Sequence, residues 1–108
     1  MILKLKNGKL DLLKDSGSYV RTLISGHVVD ADLNDDQTLI VVTMDNGHVD
    51  LRKESGSYLR TIVSAHAVGA RWSGENILVE LENGKTELRK ESGSWKWALL
   101  QFFGRLEA

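Results

Sequence analysis

Hydrophobic and polar residues alternate with a period of two through most of the chain, in short runs separated by Asn-Gly and Ser-Gly-Ser clusters. "VVDADL" at 28–33 sets Val29, Ala31 and Leu33 against Asp30 and Asp32, and "AVGARW" at 67–72 sets Val68, Ala70 and Trp72 on the matching face. "HVDLRK" (48–53) and "KTELRK" (85–90) alternate in the same way, whereas "TLIVVTM" (38–44) and "NILVELE" (76–82) are richer in β-branched and aliphatic residues. Successive side chains on a strand point to opposite faces, so this period predicts strands. Asn-Gly between two such runs signals a hairpin, because both residues tolerate the positive φ of a type I′ turn. Ser-Gly-Ser supplies the next reversal.

The runs recur as a unit. Asn7-Gly8, Asn46-Gly47 and Asn83-Gly84 are separated by 39 and 37 residues, and so are the three Ser-Gly-Ser clusters that begin at Ser16, Ser55 and Ser92. His27 and His66 also lie 39 apart. Each unit of about 38 residues therefore reads as an antiparallel meander of four strands, here a, b, c and d in chain order. "MILKLKNG" aligns with "IVVTMDNG", so the first unit enters at strand b. The chain divides into repeat 1 (1–27), repeat 2 (28–66) and repeat 3 (67–108), a single repeat domain over 1–108.

This all-β spacing resembles the WD40-type β-propeller blade. Gly26-His27 and Ala65-His66 stand where that family has its Gly-His pair, Asp45-Asn46-Gly47 at the b–c turn, and Ser55-Gly56 at the c–d turn. The family's Trp-Asp pair is replaced by Arg52-Lys53 and Arg89-Lys90, so its usual Trp-Ser-His-Asp hydrogen-bond network is not expected. The resemblance implies propeller-like blades, and propellers close with roughly 4–8 of them. Just under three blades per chain implies closure by homo-oligomerisation, with a homodimer of six blades favoured. The segment Phe102-Phe103-Gly104-Arg105-Leu106 is expected to supply a strand a to the first blade of the next copy. A β-trefoil monomer is the alternative, since it also has three four-stranded repeats, although its Gln-x-Trp signature is absent.

Near the C-terminus two patterns overlap. The repeat predicts a fourth strand, while Trp95, Leu99, Phe102, Phe103 and Leu106 fall at i, i+4, i+7, i+8 and i+11, a helical stripe. Trp95 and Trp97 break the repeat, their counterparts being Tyr58 and Arg60. Trp95, Trp97, Leu99, Phe102, Phe103 and Leu106 are accordingly the candidate oligomer interface.

Composition narrows the chemistry. Lys+Arg 14 against Asp+Glu 15 leaves a net charge of −1, which excludes the electrostatic footprint of a nucleic-acid binder. No apolar run approaches the ~20 residues of a spanning helix, so no membrane partner is expected. The absence of cysteine excludes disulfides and thiolate chemistry and, with no signal-peptide pattern at the N-terminus, leads us to expect a cytoplasmic protein.

The candidate sites have structural explanations. "DADLNDD" (30–36) offers oxygens at Asp30, Asp32 and Asn34, but Asp35 and Val41 stand where a calcium loop needs Gly and Glu, so a turn is expected. Asp32 and its counterpart Arg71 suggest charge pairing between adjacent blades. His27 and His66 are repeat-equivalent and are expected to bond a backbone group or carboxylate at a strand boundary. Arg21, Arg52, Arg60 and Arg89 are expected to pair with carboxylates such as Asp11, Asp50 and Glu87 on solvated sheet faces. Trp72 is expected in the core between blades. No cofactor and no catalytic set is indicated. The expectation is a non-catalytic binding or scaffolding module; the alternative is a small oligomeric lectin that stacks sugars on Trp72, Trp95 and Trp97.

Overall fold

The computed structural model describes residues 1–99, with 95–99 described as backbone only. Among these residues, eleven antiparallel strands form three separate sheets. The first is β1 (Ile2–Lys6), β2 (Lys9–Leu13) and β3 (Tyr19–Ile24). The second is β4 (Val28–Leu33), β5 (Leu39–Met44), β6 (Val49–Lys53) and β7 (Tyr58–Val63). The third is β8 (Ala67–Ser73), β9 (Asn76–Leu81), β10 (Thr86–Lys90) and β11 (Trp95–Leu99). Each sheet is a meander in chain order, and the sheets stack face to face as three blades. A trefoil, which gathers its repeats about one shared core, is not what the chain forms. Residues 95–99 are a strand paired with β10 and not the start of a helix.

The core lies in two layers. Leu10, Leu12 and Leu23 of the first blade meet Val28, Ile40 and Val42 of the second. Val41, Val49, Leu51, Ile62 and Val63 of the second meet Ala67, Ala70, Ile77 and Val79 of the third. The middle strand β5 is therefore buried on both faces, which is why its sequence is apolar at every position but Thr43 and does not alternate. Full burial of a Leu, Ile or Val side chain contributes about 1.5–3 kcal/mol, so these two layers hold the stack together.

Two of the register shifts bear on which valines are buried. In β4 the register shifts between Val28 and Asp30, and in β8 between Ala67 and Gly69. An extra residue at a bulge turns its neighbours over. Val28 and Ala67 are thus buried, while Val29 and Val68, expected on the core face, are 48% and 52% exposed.

The b–c turns also differ from expectation. Only the first has Asn and Gly both at positive φ (Asn7 52°, Gly8 81°), and only that turn joins its strands through two residues. In the second blade the Met44 N–H donates to the His48 carbonyl at 2.8 Å across three residues, with Gly47 alone at positive φ (89°). The third blade repeats this between Leu81 and Lys85. One residue fewer in the first turn slips β1 by one position against its sequence alignment. Leu3 pairs with Leu12 as Val41 pairs with Leu51, and Lys4 pairs with Asp11 as Val42 pairs with Asp50. A one-residue slip exchanges the two faces of a strand. Lys4 and Lys6 therefore occupy, on the outward face of the first blade, the places of buried Val42 and half-buried Met44.

Candidate functional site

Repeated polar residues meet at the junctions between blades. His27 and His66 sit just before β4 and β8 with φ of 69° in both, a left-handed conformation that His tolerates better than bulky or β-branched residues. The bend lets the His27 carbonyl accept the Asp45 N–H at 2.8 Å and the His66 carbonyl accept the Glu82 N–H at 2.9 Å. Each imidazole Nδ1 then bonds a carboxylate oxygen of the same turn, Asp45 Oδ2 and Glu82 Oε1, both at 3.0 Å. The next residue reaches back to the preceding blade: Val28 N–H donates to the Gly8 carbonyl (3.0 Å) and Ala67 N–H to the Gly47 carbonyl (3.1 Å). The histidines are turn-organising groups at each junction.

Asp30 and Asp32 do not form a cation loop. Asp30 Oδ2 accepts the Ala70 N–H at 3.3 Å, and Asp32 Oδ2 accepts the Trp72 N–H at 2.8 Å. These donors lie on the outer edge of β8, beyond which no further strand pairs among the described residues. Two carboxylates of β4 thus satisfy an otherwise open sheet edge. Asn34 Oδ1 accepts the Thr38 and Leu39 N–H groups (2.9 and 3.0 Å), closing the turn that follows. The expected pairing of Asp32 with Arg71 does not occur: Arg71 Nη1 bonds Glu80 Oε1 of its own blade at 3.2 Å.

The arginines bind turn carbonyls more than carboxylates. Arg21 Nη1 reaches the Glu54 carbonyl of the second blade (2.9 Å), and Arg60 Nη1 reaches the Glu91 carbonyl of the third (2.7 Å). Arg52 and Arg89 close their own c–d turns through the Gly56 and Gly93 carbonyls (2.8 and 3.1 Å). The expected ion pairing is found at Arg89 with Glu87 (2.9 Å). Asp11 and Asp50 instead accept the hydroxyls of Thr22 and Thr61 (2.8 and 3.0 Å), which in turn bond Tyr19 and Tyr58. Repetition in the sequence marks all these residues, but their direction across a junction has no sequence signal, because it depends on how the sheets stack.

Trp72 is half-buried in the second core layer and its Nε1–H donates to the Asp32 carbonyl at 3.2 Å, so it serves the junction. Trp95, Trp97 and Leu99 lie on β11, their side chains outside the described residues; Phe102, Phe103 and Leu106 also lie outside them. Among the described residues, no group of three His, Cys, Asp or Glu is placed to hold a metal ion. A cleft of about 770 Å³ between the second and third blades is lined in part by His66, Glu82, Glu87 and Arg89. Their polar groups are drawn into the turn and ion-pair contacts above and do not converge on the space.

The two outward faces differ from the buried ones. On the third blade, Leu78, Thr86 and Leu88 hold the positions of Val41, Val49 and Leu51, which the next blade covers completely. Glu80 pairs with Thr86, as Thr43 pairs with Val49, and so takes the place of a fully buried threonine. On the first blade, Lys4, Lys6, Lys9 and Asp11 line a shallow cleft of about 410 Å³.

No family model and no curated protein matches the chain. Its fold is similar to that of BamB from Moraxella catarrhalis (TM-score 0.72, 13% identity, 91% of this chain and 31% of that one). It is also similar to Sqt1 from Saccharomyces cerevisiae (0.71, 11%, 87% and 29%) and to the C-terminal WD40 domain of Sif2 (0.61, 18%, 81% and 26%). The chain spans about a third or less of each. At these identities the likeness concerns the fold, which is β-propeller-type with WD40-like blades.

Proposed function

We propose that this chain is a non-catalytic binding or scaffolding module that works as a homo-oligomer, two copies closing a ring of six blades. One observation carries this reading. On the third blade, the face that both other blades bury beneath a neighbour has no further blade stacked on it among the described residues, although Leu88 there is buried (7% exposed) and Leu78 half-buried. Leu78 and Leu88 on that face are apolar residues at positions where an interface is expected. A ring of propeller blades closes at roughly 4–8, and two copies supply a number within that range. The side chains of Trp95, Trp97, Leu99, Phe102, Phe103 and Leu106 belong, on this reading, to the same seam.

A non-catalytic role is supported by the engagement of His27 and His66 in turns and of Asp30, Asp32, Arg21 and Arg60 in contacts between blades. A propeller fold hosts many functions, so the assignment rests on these contacts and not on the fold. Light scattering on the full chain is the test. A mass of twice 12.0 kDa is the expected result. A 12.0 kDa species at high micromolar concentration overturns the reading.

A further inference from the structure

We infer that the seam between copies is head-to-tail and ionic: Lys4 and Lys6 on the outward face of one copy's first blade meet Glu80 on the outward face of another copy's third blade. This rests on the association proposed above and specifies its faces. Two observations lead to it.

The first is position. Lys4 and Lys6 take the places of Val42 and Met44, which belong to the apolar layer between the first and second blades. Glu80 takes the place of Thr43, fully buried between the second and third. Charges thus appear on both outward faces at positions that the internal junctions fill with uncharged groups.

The second is sign. Lys4 and Lys6 are exposed and have no carboxylate partner among the described residues, since Asp11 on that face is engaged by Thr22 and lies 3.9 Å from Lys9. The opposite face brings an exposed carboxylate. Glu80 already has Arg71 at 3.2 Å, an exposed pair that leaves the second carboxylate oxygen open to a lysine. Opposite charges brought together across an interface fix its partner and register. Two first blades facing each other, by contrast, set lysines against lysines. A heterologous contact that closes after two copies also matches the ring, whereas a self-complementary contact between two third blades does not.

The test uses two full-length variants, Lys4→Glu/Lys6→Glu and Glu80→Lys, each first checked by circular dichroism for an unchanged fold. All three positions are exposed, so the core is untouched. Each variant alone sets like charges together at both seams, and its dimer is expected to weaken at least about a hundredfold. Mixed, the two variants restore opposite charges at both seams, and a heterodimer is expected at the affinity of the unmodified chain. The unmodified dimer is also expected to loosen at about 1 M salt, where the Debye length falls to ~3 Å. Variants that dimerise like the unmodified chain, or that stay monomeric when mixed, overturn the ionic seam while leaving association standing. An unmodified chain that is itself monomeric overturns the association as well.

Discussion

Trp72 is held by Asp32 at two points: its backbone N–H by the carboxylate at 2.8 Å, its indole N–H by the carbonyl at 3.2 Å. One residue on β4 thereby fixes the lateral position of β8 and the depth of the indole in the core. Asp32→Ala leaves the Trp72 N–H without its charged partner, and hydrogen bonds to charged groups contribute about 1.5–3 kcal/mol. Denaturant titration is expected to show a loss of about 2 kcal/mol, with Asp32→Asn, which keeps an acceptor, losing less.

Gly47 and Gly26 predict opposite responses to the same substitution. Gly47 has φ of 89°, and a Cβ there falls on the backbone nitrogen of His66. Gly47→Ala is expected to cost at least about 3 kcal/mol, through the left-handed backbone and the forced separation of two blades. Gly26 has no atom within 4 Å of a built Cβ, and its counterpart in the next repeat is Ala65. Gly26→Ala is expected to be neutral or to stabilise by about 0.4–1 kcal/mol, by restricting the unfolded chain. Thermal melts of the two variants separate these outcomes.

Thr43 is fully buried and its hydroxyl has no hydrogen-bond partner. A buried unpartnered hydroxyl costs about 1–3 kcal/mol, and valine has nearly the same shape. Thr43→Val is expected to raise the urea midpoint with no change in the slope. A fall in the midpoint means that the hydroxyl has a partner after all.

Arg60 crosses from the second blade to the Glu91 carbonyl, while Arg21 makes the equivalent bond one junction earlier. Arg60→Met removes one charge-assisted bond at an exposed site, for an expected loss of about 1 kcal/mol. Amide exchange is expected to quicken at Ala67, whose N–H spans that junction, and to stay unchanged at Val28 in the other. Arg21→Met is expected to reverse the pattern. Because the two arginines serve different junctions, their costs are expected to add.

How far these contacts were legible varied with their range. The recurrence of Asn-Gly, Ser-Gly-Ser and His gave the meander and its length, since turn chemistry is local. The same Asn-Gly pair nevertheless closes a two-residue turn after Lys6 and a three-residue turn after Met44. The dipeptide is compatible with both, and the choice depends on which strand faces the neighbouring blade buries. Val29 and Val68 lie on the face opposite to the one their alternation predicts for a related reason: an alternating run carries no mark of the bulge that reverses it. Asp32 and Arg71 were expected to pair because they are opposite in charge at equivalent positions, but each is taken up by a closer partner.

The sequence by itself determined the strands, their order and the fact of repetition, because alternation and turn residues act over a few positions and need no neighbour. Only the tertiary structure decided which face of each strand is core and which carboxylate caps which edge. It also decided that Lys4 stands in the place of Val42. Those outcomes are set by the stacking of sheets across some 40 residues of chain, where one residue gained or lost in a turn exchanges inside for outside.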